Sequence, residues 1–185
     1  MMTRNVHITL AVLEVFVLAA CLLLFSGLLT LSLGRTYYVA PTGFDSGPGT
    51  QARPFLTLQQ AANSVGPGDT VIVRNGLYTT KSMSHLVAVT RSGKPNAWIT
   101  FKSENPLGAK LSGSNNLVQN GVEFRGSSYV KLLDFELYGF GKAQSGGGAI
   151  WVDATAHSIY IGGNYIHHIG ELCTGTANEI GRAHV

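Results

Sequence analysis

The sequence predicts an all-β solenoid, in which short strands wind into coils that stack along one axis. Three observations predict it. From Asp69 onward, short runs rich in β-branched and aromatic residues alternate with turn residues. No helix of convincing length separates these runs, so a sheet of strand–helix–strand units would lack its crossovers. Two segments, 128–140 and 157–169, superpose without a gap at an offset of 29 residues, and a unit that recurs without helices points to stacked coils.

Composition narrows the remaining classes. The chain has 185 residues, 45% of them hydrophobic and 12% charged, with 23 glycines. That is too apolar for a disordered tail, and the glycines follow no period of three, which excludes collagen. The two cysteines, Cys21 and Cys173, are too few for a disulfide scaffold. The net charge is +3, and the basic residues are scattered with no Lys/Arg run. No nucleic-acid partner is therefore expected, and a monomer is.

The elements follow in chain order. Residues 8–33 are almost wholly apolar, and the nineteen residues 15–33 carry no charge. A helical membrane span needs roughly 20 apolar residues, whereas the core of a signal peptide has about 7–15. Residues 1–34 are read as a signal peptide or a membrane anchor, which leaves 35–179 extracellular or on the cell surface. Leu18–Ala19–Ala20–Cys21 is similar to the lipobox of bacterial lipoproteins, although Leu22–Leu23–Leu24–Phe25 follows where a polar tether is usual. A buried core helix is a third reading of this segment. YYVAP (37–41) is a short strand ended by proline, and TGFDSGPGTQARPF (42–55) has turn chemistry. TLQQAANSV (57–65) is helical, with Thr57 as N-cap and Leu58, Ala61, Ala62 and Val65 on one face.

The strands expected after it are 70–74, 86–90, 98–102, 122–126, 129–139, 149–153 and 158–169. In the repeated unit, Val130 and Leu132 match Ile159 and Ile161, and Leu137 matches Ile166. Alternation then points Val130, Leu132, Leu137, Ile159, Ile161 and Ile166 inward, and Lys131, Glu136, Tyr160 and Tyr165 outward. Corners are expected at Leu133–Asp134 and Gly162–Gly163.

Residues 37–78, with a strand, an Asp-Ser-Gly-rich turn, the PFLTLQQA helix start and the PGDTV strand, resemble the opening of right-handed parallel β-helix proteins of the pectate-lyase-like superfamily. NYIHHIG (164–170) is similar to the asparagine-bearing repeat of later coils. The resemblance implies a right-handed parallel β-helix over 35–179, with 57–65 as a helix covering its end. It also implies a secreted protein acting on polysaccharide, with a lyase cleaving uronate polymers by β-elimination as the leading reading. In such lyases Ca²⁺ neutralises the uronate carboxylate and a Lys or Arg removes the adjacent proton. The competing reading is a non-catalytic glycan-binding or structural, adhesive surface β-helix.

No catalytic or substrate-binding residue is identifiable from the sequence, and no metal set is evident. Asp45, Asp69, Asp134 and Asp153 are spread along the chain, and Asp45 and Asp69 fit turns of the opening motif. Ca²⁺ is therefore an expectation for a fuller protein only. Lys131 and Glu136 read as a solvated face, and Asp153 and His157 as turn residues. His167 and His168 point to different sides of a strand, one outward and one at a corner. Tyr138, Tyr160, Tyr165 and Trp151 are candidates for sugar stacking or for packing, and Asn164 for a turn. Cys173 reads as free or as paired beyond this chain. SGGGA (145–149) is a loop with no Lys-Ser/Thr after it, so it is not a phosphate cradle. The end of the chain, Ile180–Val185, can be encoded by a string that matches a short-read sequencing adapter. Residues 180–185 are expected to be read-through on a truncated gene, which would leave Arg182 and His184 without a role and the fragment inactive alone.

Overall fold

The structure, a computed structural model of the chain, describes residues 34–141 and 147–170. The apolar segment 8–33, the lipobox-like Cys21, Cys173 and the expected tail 180–185 lie outside the described residues. Among the described residues, no helix is long and apolar enough to cross a membrane.

The strands are β1 (Thr36–Val39), β2 (Thr70–Val73), β3 (Gly76–Tyr78), β4 (His85–Val89), β5 (Ile99–Ser103), β6 (Ala109–Ser112) and β7 (Asn120–Phe124). They continue as β8 (Ser128–Leu133), β9 (Glu136–Tyr138), β10 (Ile150–Val152), β11 (His157–Gly162) and β12 (Tyr165–His167), and one helix, α1 (Leu58–Ser64), follows β1. They form three sheets, here named A (β1-β2-β5-β8-β11), B (β3-β6-β9-β12) and C (β4-β7-β10). Every paired neighbour is parallel. The chain visits A, B and C in turn and then returns to A one rung higher, about 4.8 Å along the axis. This is a parallel β-solenoid of about four turns.

The repeat seen in the sequence is the register of the coils. Val130 pairs with Ile159, Leu132 with Ile161, and Leu137 with Ile166. Earlier coils continue the same columns, because Val71 pairs with Phe101 and Phe101 with Leu132, while Leu111 pairs with Leu137. Val71, Phe101, Leu111, Val130, Leu132 and Leu137 are buried in one core with Phe135 and Phe140. Each such side chain stabilises the fold by about 1.5–3 kcal/mol relative to exposure. On the last described coil, Ile159 and Ile166 pack against this core, but Ile161 is 39% exposed and is a correction to the expected interior column. Among described residues, its coil has a stacked neighbour on one side only. Two short strands, β3 and β6, also escaped the sequence reading; Gly76 and Lys110 interrupt any apolar signal there.

The helix forms as expected. Thr57 Oγ1 accepts from the Gln60 N–H at 3.1 Å, while Leu58, Ala61, Ala62 and Val65 are buried. Gln59 gives the helix its place. Its Nε2 donates to the Ala88 carbonyl at 3.1 Å and its Oε1 accepts from the Ala88 N–H at 2.9 Å. Ala88 lies on β4, an edge strand of sheet C, so one side chain replaces the two bonds a further strand would make.

The corner between sheets A and B takes two residues on the later coils. Asp134 (φ 65°) and Gly163 (φ 66°) occupy equivalent left-handed positions. A Cβ on Gly163 would overlap Asp134 Oδ1, so glycine is required there for space as well as conformation. Asn164 spans two coils at the same corner. Its Oδ1 accepts from the Phe135 N–H and its Nδ2 donates to the Leu132 carbonyl, both at 2.9 Å.

Candidate functional site

The connections from sheet B to sheet C at 79–84 and 113–119 are longer than the two-residue corners after β8 and β11. Long surface connections held on a rigid scaffold are where sites are built. They lead into sheet C, whose outer face carries a carboxylate that alternation alone would send to water. Glu123 lies between inward Val122 and Phe124 on β7, yet its side chain is only 3% exposed. Burying a charge is costly unless it is paired and hydrogen-bonded, and its partners follow that rule. Asn120 Nδ2 donates to Glu123 Oε1 at 2.7 Å. Arg125 Nη2 lies 2.5 Å from Oε2, and His85 Nδ1 lies 3.5 Å from it. Oε2 accepts no hydrogen bond, so the Arg125 approach is an ion-pair contact. His85 arrives from the coil below, because β4 pairs with β7 in the register His85 to Asn120. Asn120 Oδ1 also accepts from the Gly148 N–H at 3.0 Å, tying the cluster to the connection ahead of β10. Trp151, the register partner of Glu123 on the coil above, is 43% exposed. The result is a half-exposed guanidinium and an imidazole that approach one buried carboxylate, with an exposed indole on the next coil. The sequence reading missed these four polar groups. The available signal was the Glu123-x-Arg125 alternation on one strand face.

A second cluster lies on the outer face of sheet B. Lys110 Nζ donates to Glu136 Oε2 at 2.6 Å, and His167 Nε2 lies 3.3 Å from Oε1. The Lys110 ammonium holds the Glu136 carboxyl below its usual range, with His167 helping, and the carboxylate in turn raises Lys110. His167 stacks on Tyr138 at 5.2 Å and on Tyr165 at 4.6 Å between ring centroids, and it also contacts His168. Of the four aromatic candidates, Tyr138 and Tyr165 therefore come together. Tyr160 lies in sheet A and Trp151 in sheet C.

The other sequence candidates have structural partners. Asp153 Oδ1 accepts from the Thr155 hydroxyl and from the N–H groups of Thr155 and Ala156, while its Oδ2 accepts from the Gly126 N–H. These bonds, led by the Thr155 hydroxyl, lower its carboxyl from the usual value. Asp45 accepts from the Leu56 and Thr57 N–H groups and the Thr57 hydroxyl. Asp69 accepts from the Arg35 and Gly66 N–H groups. These three aspartates hold turns. Among the described residues, no three His, Cys, Asp or Glu side chains are grouped as metal ligands. His157 lies against the Tyr129 ring, and Lys131 lies over the Trp98 ring.

Comparison with known proteins places this architecture. The chain is 33% identical over 82 residues to the uncharacterized protein YwoF of Bacillus subtilis (strain 168). It is 31% identical over 78 residues to pectate lyase L of Dickeya dadantii (strain 3937). These stretches cover 44% and 40% of this chain but only 16% and 18% of those relatives. Among solved structures, a rhamnogalacturonan lyase aligns with a TM-score of 0.63 at 21% identity, over 74% of this chain and 36% of its own. The GH136 lacto-N-biosidase from Eubacterium ramulus aligns with a TM-score of 0.55 at 15% identity, over 74% of this chain and 27% of its own. Likeness at these identities establishes the fold alone. The family described as "Pel9A-like, right handed beta helix region" matches residues 37–180, so the chain belongs to that family and is a right-handed parallel β-helix of the pectate-lyase-like type.

Proposed function

We propose that the protein is a carbohydrate-active β-helix working on polysaccharide outside the cell, and that it cleaves a uronate polymer by β-elimination at the outer face of sheet C. One observation carries this reading: Arg125 and His85 approach the same buried Glu123 oxygen, at 2.5 and 3.5 Å. A guanidinium has five donors in a planar fork matched to a carboxylate. With one nitrogen on Glu123, Arg125 has donors left to bind and neutralise the uronate carboxylate, which acidifies the neighbouring carbon. The His85 imidazole then takes that proton as general base. The bond from the next carbon to the glycosidic oxygen breaks, a carbon–carbon double bond forms, and the departing oxygen takes a proton from water. Trp151 offers the sugar an apolar face. The family assignment and the pectate lyase relative support the substrate class.

The test is to supply polygalacturonate and alginate to the protein encoded by the complete gene and follow the ultraviolet absorbance of unsaturated product. Product formation that drops about a hundredfold in Arg125→Ala is expected. Binding without product across a broad panel of uronate polymers would favour the non-catalytic glycan-binding or structural rod instead.

A further inference from the structure

The outer face of sheet A shares no residue with either cluster, and its chemistry differs from both. The chain enters this sheet through an aromatic ring on each of three successive coils, Trp98, Tyr129 and His157. Trp98 and Tyr129 meet edge to face with centroids 5.5 Å apart, and Tyr129 and His157 repeat the geometry at 5.5 Å. Trp98 is pinned by its Nε1 donating to the Pro95 carbonyl at 3.1 Å. Lys131 Nζ sits 5.3 Å from the Trp98 ring centroid. Tyr160, the register partner of Lys131 on the next coil, is 56% exposed.

Charge completes the picture. The segments 90–103, 127–133 and 154–162, which enter and form this sheet on three coils, contain Arg91, Lys94, Lys102 and Lys131, and the carboxylates Glu104, Asp134 and Asp153 lie just beyond their ends. Arg91 and Lys94 are exposed and Lys102 is half-buried. By contrast, the lysine on sheet B is neutralised by Glu136. The strands of sheet A therefore present aromatic rings and cations, with carboxylates only in the flanking corners.

We propose that the outer face of sheet A is a second, non-catalytic binding surface for an acidic polysaccharide lying along the solenoid axis. Coils recur about every 4.8 Å, close to the length of one sugar in an extended chain, so successive uronate units meet successive coils. The rings provide stacking surface, and the lysines and Arg91 face the carboxylates. The inference takes the glycan nature of its anion from the proposed function but needs no chemistry at sheet C.

The test is affinity electrophoresis of the purified chain through gels holding polygalacturonate, neutral galactan or duplex DNA. Retardation by polygalacturonate alone is expected, weakening as salt rises. Trp98→Ala combined with Lys131→Ala should weaken binding by about tenfold. Lys94→Glu with Lys102→Glu, which leaves the aromatic ladder intact, should do the same at an unchanged melting temperature. Neither pair should change the rate on short uronate oligomers where the complete protein is active. Unchanged polygalacturonate binding in both double variants, or equal retardation by galactan or DNA, would overturn the proposal. Binding that is lost in these variants while no elimination product forms would leave this surface standing and remove the lyase reading.

Discussion

Glu123 with Arg125 and His85 on sheet C, and Glu136 with Lys110 and His167 on sheet B, use the same three kinds of group. They differ in solvent. The Glu123 side chain is 3% exposed and that of Glu136 is 16%, whereas the two cations, Arg125 at 46% and Lys110 at 48%, are almost equally exposed. They also differ in support, because the sheet C carboxylate has an additional neutral donor, Asn120, anchored to Gly148. Taking the cation away from the buried Glu123 would strand a charge away from water. An exposed pair exchanges its contact for hydration at little net cost. The comparison therefore gives sheet C the more firmly held carboxylate and sheet B the more solvated one.

Breaking the buried cluster should have the largest effect. Arg125→Met strands the Glu123 carboxylate and is expected to lower stability by about 3–5 kcal/mol, read from the denaturant midpoint. Adding Glu123→Leu should restore most of the loss, because an apolar pair needs no counter-charge. A small effect of the single change would mean that water reaches Glu123. Next, Asn120→Ala removes the partner that sheet B lacks and frees the Gly148 N–H. A cost of about 1–3 kcal/mol is expected in the same assay.

The corresponding change on sheet B, Lys110→Met, should lower the denaturant midpoint far less than Arg125→Met does. A loss matching that of Arg125→Met would erase the distinction between the two clusters. The smallest effect is in pH. The Glu136 carboxyl is lowered by Lys110, so its contribution is present above the ordinary carboxylate value and fades as pH falls through the lowered one. Lys110 is raised, so its contribution is complete below the ordinary lysine value and fades as pH rises through the raised one. Wild type and Lys110→Met should therefore have melting temperatures that differ most near neutral pH and converge in strong acid and strong base. A constant offset across that range would contradict the pairing.

Much of the fold was legible because stacked coils repeat their apolar positions. The match of Val130 and Leu132 to Ile159 and Ile161 is the observed register, and Asp45, Asp69 and Asn164 occupy the turn roles their types suggest. The strands β3 and β6 were illegible because three or four residues containing Gly76 or Lys110 give no run. The sheet C site was illegible for a different reason. Its burial depends on His85 coming from one coil and Gly148 from the connection ahead of another, which only the register between coils specifies. The same limit scattered the aromatic candidates. Tyr138 and Tyr165 meet through His167, while Trp151 and Tyr160 lie in other sheets.

The most direct measurement compares Arg125→Ala with Lys110→Ala in the complete protein, by the initial rate of unsaturated product from a uronate polymer. Arg125→Ala is expected to lose about a hundredfold in rate per folded molecule, and Lys110→Ala to keep the wild-type rate. A rate that falls in Lys110→Ala and survives in Arg125→Ala would contradict the account and move the chemistry to sheet B.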